Sequence, residues 1–339
     1  MRWQWKLGNF AGIDVFVHAT FLILIGWVGY SYWLEYGSLA KVAEGILFIL
    51  ALFLCVVLHE YGHALTARKY GIKTRDITLY PIGGVARLER MPDKPIEELW
   101  VALMGPAVNL VIAAVLFVYL FFSGGLVPIA DLTIASGSFL TRLMTLNIWL
   151  VLFNLIPAFP MDGGRVLRAL LAMRMDYVRA TQIAANIGQG LAFVFGFIGL
   201  FSNPFLLFIA FFVWIGASQE ASMVQMRNSI SGIPVTRAML TDFKTLSPRD
   251  TLSQVVGLIL AGSQHDFPVL DNDGRVIGIL ERNEFIAALS KKGQSTPVVD
   301  VMRRDLPSVD SHDMVETALM RLQESGAKTL PVMHGGQFV

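Results

Sequence analysis

The sequence predicts a polytopic α-helical membrane domain of about six spans, followed by a soluble α/β domain built on an internal repeat. Three observations carry this reading. The 339 residues are 54% hydrophobic and only 16% charged, against about 25% charged in soluble domains. Six apolar segments, roughly 15–34, 42–67, 97–122, 140–160, 181–201 and 204–223, fill the first part of the chain. Most reach the ~20 residues that a spanning helix needs. From about Ser229 the composition turns mixed-polar, and two stretches recur at one offset: Ala238-Met239 with Val301-Met302, and Phe267-Pro268-Val269-Leu270 with Leu330-Pro331-Val332-Met333.

At the N-terminus, Trp3 and Trp5 lie between Arg2 and Lys6, ahead of the first apolar segment. No small-residue cleavage site of a signal peptide is seen there, and the two tryptophans read as an interfacial anchor. The basic residues then sort by side. Arg68, Lys69, Lys73, Arg75, Arg87, Arg90 and Lys94 follow the second segment, and Arg165, Arg168, Arg174 and Arg179 follow the fourth; the opposite side offers Lys41 and Arg142. The positive-inside rule makes both termini cytoplasmic in a multi-pass protein, with the plasma membrane as its expected location. The second and fourth spans then both run inward, so their polar ends reach the same side. A net charge of +1 implies no nucleic-acid partner. Cys55 is the sole cysteine, which excludes a disulfide within the chain and points to packing.

The second segment ends in His59-Glu60-Tyr61-Gly62-His63, an H-E-x-x-H pattern. On a helix, residues i and i+4 share a face, so the two imidazoles can hold one Zn²⁺ and Glu60 can act on a water beside it. Ionisable residues at membrane depth are expensive and point to function. Three protein ligands are needed, and His265, His312 and His334 fall in the soluble part, scattered and without a metal-ligand cluster. The third ligand is therefore His18 or a carboxylate near a span: Glu44, Asp131, Asp162 or Glu220. Asp162 stands out, in Asn154-Leu155-Ile156-Pro157-Ala158-Phe159-Pro160-Met161-Asp162-Gly163-Gly164, where prolines break a helix and glycines free the backbone. Its alternative role is the N-cap of a helix starting at Gly163.

Between the second and third segments, 76–80 and 85–89 flank Pro81-Ile82-Gly83-Gly84, as a β-hairpin with a glycine turn or as a surface loop. In the third segment Asn109 needs a partner away from lipid, which predicts a hydrogen bond between helices. In the soluble part, helices are expected at 252–262 and 315–325, with a turn at Asp273-Gly274 before a returning strand. The second copy stops at Val339, opposite the middle of that strand, so the second module is expected to be incomplete.

H-E-x-x-H in one span with N-x-x-P-x-x-P-x-D-G in a later one resembles the site-2 proteases, intramembrane zinc metalloproteases of the peptidase family M50 type, over about residues 8–220. The resemblance implies one zinc per chain on His59, His63 and Asp162, with Glu60 activating water. It implies that Asn154 stabilises the oxyanion or holds substrate, and that Gly83 and Gly84 belong to a re-entrant β-hairpin loop that binds extended substrate. The repeats resemble cystathionine-β-synthase (CBS) modules, whose pairs bind adenosine nucleotides and which imply a homodimer. The Ser/Thr and Asp that such modules place on the ribose are here Glu281 and Glu284, which argues against a nucleotide in this chain. The expected division is a protease domain at 1–223, a linker at 224–234, a first module at 235–293 and a truncated second module at 294–339. The expected activity is regulated proteolysis of a transmembrane substrate protein within the lipid bilayer near the cytoplasmic face, modulated by the CBS pair. The rival readings are a CBS-regulated transporter or channel, which leaves Glu60 without a task, and a proteolytically inactive relative that binds substrate.

Overall fold

A computed structural model describes residues 3–92, 94–125, 137–262, 264–305 and 307–339. Arg2 and Asp131, both used in the sequence reading, lie outside the described residues. The chain divides into two compact units, Met1–Val224 and Gln225–Val339.

The first unit opens with strands, not with a span. β1 (Gln4–Phe10) and β2 (Ile13–His18) form an antiparallel hairpin. This corrects the expected first span, which began near 15. Ile13, Val15 and Val17 are buried while Asp14, Phe16 and His18 are not, a period of two that an apolar window hides but a half-buried strand requires. Helix α1 (Thr20–Tyr36) follows, then α2 (Leu39–Lys69). β3 (Thr74–Tyr80) adds to the sheet parallel to β2, and β4 (Gly83–Leu88) returns antiparallel beside it. The sheet order is β1-β2-β3-β4. The hairpin reading of this region holds, with one correction. Tyr80 pairs with Gly83, so Pro81 and Ile82 make the turn and both glycines belong to β4.

The buried face of the sheet packs on α2. Ile13 and Ile77 meet Ala64, and Val17 and Leu79 meet Phe21 and Phe53. Two polar ties fix the contact: Tyr61 donates to the Phe10 carbonyl at 2.9 Å, and Arg68 donates to that of Ala11 at 2.8 Å.

Helices α3 (Pro95–Phe122), α4 (Phe139–Asn154), α5 (Asp162–Ala172), α6 (Tyr177–Phe201) and α7 (Pro204–Ile230) complete the unit. Among the described residues, α2, α3, α6 and α7 are long and apolar enough to cross a membrane; α1 and α4 are shorter, at 17 and 16 residues. Large side chains such as Ile23, Val115, Phe193 and Phe211 are exposed, as lipid-facing positions must be. Small residues face inward instead: Ala184, Ala185 and Ala217 are fully buried beside Phe159, which lets helices approach closely. The break expected in the fourth segment is present. α4 ends at Asn154, an irregular connector runs through 155–161, and α5 starts at Asp162.

The second unit consists of two related modules. The first holds α8 (Leu252–Ala261), β5 (Phe267–Leu270), β6 (Val276–Leu280) and α9 (Arg282–Lys292). The second holds β7 (Val309–Asp310), α10 (Val315–Ser325), β8 (Val332–His334) and β9 (Gln337–Phe338). Each module lends its leading segment to the other. The Val235 amide donates to the Asp313 carbonyl at 2.8 Å, and the Val298 amide to that of Asp250 at 2.8 Å. Both pairs map onto one another through the repeat offset read from the sequence. Val298 and Met302 accordingly complete the core around Val255, Phe267 and Leu280.

Candidate metal centre

His59 and His63 stand one turn apart on α2, and both are buried. Their outer nitrogens are occupied. His59 Nδ1 lies 2.5 Å from Asn109 Oδ1, and His63 Nδ1 lies 2.7 Å from the Val101 carbonyl. Oxygens of these types only accept, so each Nδ1 carries a proton, and in the neutral ring it is the Nε2 lone pair that faces inward. A polar chain fixes this tautomer at His59. Asn147 Nδ2 donates to the Leu143 carbonyl at 2.8 Å, which leaves Asn147 Oδ1 to accept from Asn109 Nδ2 at 2.7 Å and turns Asn109 Oδ1 to His59.

The two Nε2 atoms are 3.1 Å apart, and Asp162 Oδ2 lies 3.2 Å from each. Two lone pairs and a carboxylate oxygen therefore converge, an arrangement that repels unless a cation joins it. A tetrahedral ion with ligand distances of about 2 Å has edges of about 3.3 Å between ligands, so the donor set fits a zinc-sized ion. Among the described residues this is the one group of three metal-ligating side chains within 4.8 Å of one another.

Glycines make the space. A Cβ on Gly105 of α3 would sit 2.2 Å from His63 Nε2 and 2.7 Å from His59 Nε2. A Cβ on Gly62 would strike the Met104 carbonyl oxygen at 2.4 Å, so α2 and α3 approach backbone to backbone there. Gly163 and Gly164 lie so close to the backbone of 155–159 that any side chain would collide; this folds α5 back and turns Asp162 toward α2. Met161 is the N-cap and Asp162 the first helical residue. The cap alternative for Asp162 is thus replaced by contact with both histidines, favoured also by the positive end of α5.

Glu60 faces the hairpin. Its Oε2 accepts from the Ala86 amide of β4 at 3.2 Å, and a Cβ on Gly84 would lie 2.9 Å from its Cγ. Asn154 sits at the end of α4, where Nδ2 donates to the Leu150 carbonyl at 2.9 Å; this bond stays within its own helix. His18 lies at the end of β2, with Nδ1 2.8 Å from Thr20 Oγ1 and its ring against Tyr80, away from the three ligands. Glu44 pairs with Lys41 and Arg142, and Glu220 with Arg168. The expected interhelical bond of Asn109 exists, but with an unforeseen partner: it orients a histidine. Asn147 is not foreseen by the sequence reading; Gly105, with Pro106, reads there as a site of close helix packing, and the structure shows that what it admits is the two imidazoles. A second amide in the apolar fourth segment, in addition to Asn154, is the signal for Asn147.

In the second unit, a cleft of about 440 Å³ is lined by both modules, including Asp242, Phe243, His265, Asp266 and Thr329 but no Lys or Arg. Glu281 and Glu284 each keep a buried carboxylate oxygen without a hydrogen bond. Burial, then the charge of Glu281, raises the Glu284 carboxyl above the ordinary range. One expectation is corrected here: His312 and His334 are not scattered. Their ring centroids lie 5.1 Å apart with the planes tilted by 31°, and Asp310 Oδ1 lies 2.9 Å from His312 Nδ1.

Residues 47–136 and 123–195 match Peptidase family M50, and 235–291 and 298–339 match the CBS domain. A zinc metalloprotease of Methanocaldococcus jannaschii is 36% identical over 83% of this chain and 78% of its own length. Rip3 of Mycobacterium tuberculosis is 28% identical over 100% of this chain and 90% of its own. The solved structure of a site-2 protease from M. jannaschii is 36% identical, covers 72% of this chain and 99% of that one, and has a TM-score of 0.47.

Proposed function

The chain belongs to peptidase family M50, a family of zinc metalloproteases, and from that premise we propose that it cuts a transmembrane segment of another protein near the cytoplasmic face, in regulated intramembrane proteolysis. The observation that carries this is the convergence of His59 Nε2, His63 Nε2 and Asp162 Oδ2, with Glu60 beside them. These three residues would hold the zinc. When bound, zinc supplies Lewis acidity, making a water nucleophilic at neutral pH and polarising the scissile carbonyl.

The protein does the rest. Glu60 accepts the proton of the attacking water at its carboxylate and passes it to the leaving amine. Its hydrogen bond to Ala86 holds that carboxylate at the rim of β4. A helical substrate hides its carbonyls, so it must unwind locally, and its freed backbone groups then need partners. β4 is an edge strand of its sheet, and strand addition along Gly83 and Gly84 would supply them. Asn154 retains an amide oxygen and one amide hydrogen for substrate beyond its bond to Leu150. The Lys and Arg distribution supports cytoplasmic termini.

Co-expression with candidate single-span proteins tests this reading. The wild type is expected to release the substrate's cytoplasmic domain, and Glu60→Gln to reduce release by roughly 10²- to 10⁴-fold. A Glu60→Gln variant cleaving at the wild-type rate removes Glu60 from the mechanism.

A further inference from the structure

Arg168 is the largest fully buried side chain outside the metal centre, and it carries a charge. Its Nε and Nη2 donate to Glu98 Oε1 at 2.8 and 2.5 Å, and its Nη1 donates to Glu220 Oε1 at 2.5 Å. Its guanidinium carbon lies 5.0 Å from the ring centroids of both Phe159 and Tyr177. One side chain on α5 thus joins α3 through Glu98, α7 through Glu220, the start of α6 through Tyr177 and the 155–161 connector through Phe159.

Net stabilisation is a weak reason for such a cluster. Removing each charge from water costs several kcal/mol, and buried ion clusters are often replaceable by apolar side chains without loss. Here the cluster holds two carboxylates against one guanidinium, and Glu98 Oε2 is buried without a hydrogen bond. What a planar fork supplies that apolar packing does not is a fixed register between the elements it joins.

The register in question is that of the ligand. Glu98, Val101, Gly105 and Asn109 follow one another at helical spacing along one stripe of α3. Val101 and Asn109 orient the imidazoles, and Gly105 leaves room for them. Glu98 continues the same stripe and takes Arg168, six residues beyond Asp162 on α5. α7 adds a second tie. A Cβ on Gly216 would lie 2.5 Å from Pro160 Cδ, so α7 seats the connector, and one turn on Glu220 reaches Arg168.

We propose that Arg168 is a positioning residue: clamped by Glu98 and Glu220, it sets α5 against α3 and α7 so that the Asp162 carboxylate meets both histidines. This rests on the metal reading of His59, His63 and Asp162. The test uses the full chain in detergent, with three readouts: zinc release to a chromogenic chelator, the visible spectrum of the cobalt(II)-loaded protein, and the melting temperature. Arg168→Lys keeps the charge and loses the fork. It is expected to fold, to shift the cobalt bands and to release zinc roughly 10- to 100-fold faster. Glu220→Gln is expected to move release the same way by a smaller factor. Arg142→Lys, a control at a partly buried arginine of the same unit that pairs with Glu44, is expected to match the wild type. Wild-type release and spectrum in Arg168→Lys overturn the proposal whatever the melting temperature. If Arg168→Lys does not fold, Glu220→Gln decides by the same two readouts. A wild-type chain that takes up no metal overturns the metal reading, and this proposal with it, a result distinct from failure of the clamp alone.

Discussion

At Gly105 the absence of one carbon decides whether the imidazoles can stay where they are. A methyl group there would lie within 2.7 Å of both Nε2 atoms, and neither ring can retreat while its Nδ1 is held by Asn109 or Val101. Gly105→Ala is therefore expected to fold but to lose most of its zinc, whereas Ala113→Gly on the same helix, a small buried position away from the site, is expected to keep it. Metal analysis of the purified variants checks this; full zinc in Gly105→Ala would show that the rings can shift at little cost. At this scale the sequence disclosed the groups that carry charge or lone pairs. His59, Glu60, His63 and Asp162 were legible because such side chains are rare in apolar runs. Gly105 and Asn147 act by making room and by turning an amide; a glycine or an amide in an apolar run signals close packing or a buried hydrogen bond, but not which side chain it serves.

The elements fall into two kinds. The break between α4 and α5 was legible because Pro157 and Pro160 cannot continue a helix and a polar stretch in lipid needs a cavity. The β1–β2 hairpin was not: β1 is mostly exposed and shows no buried alternation, and the end of β2, from Val15, merges into the first apolar segment. The β3–β4 hairpin was half legible: its strands were foreseen, but Gly83 and Gly84 lie within β4, not in the turn. The reason is packing. β4 passes so near Glu60 that a side chain at Gly84 has no room. Gly84→Val is accordingly expected to retain zinc, because it leaves all three ligands alone, and to lower cleavage by tenfold or more by displacing the Glu60 carboxylate. Unchanged kcat with a raised KM would instead place the role of Gly84 in substrate binding alone.

For the whole molecule, the sequence foretold a membrane unit followed by a repeat pair, and the exchange of leading segments between the modules follows the same repeat offset. Regulation by the second unit is the proposal that fits its lack of a three-ligand metal cluster among the described residues. Its cleft presents Asp242 and Asp266 and, among the described residues, no Lys or Arg, so a phosphate there would meet negative charge. Calorimetry with ATP and AMP is expected to give weak or no binding; tight binding of either would show that Glu281 and Glu284 do not prevent it. The account as a whole depends on one site, and zinc content measures it most directly. Purified wild-type chain is expected to carry about one zinc, Glu60→Gln the same, and Asp162→Ala little or none, because only two protein ligands remain. Full zinc in Asp162→Ala, with loss instead in His18→Ala, would contradict the account.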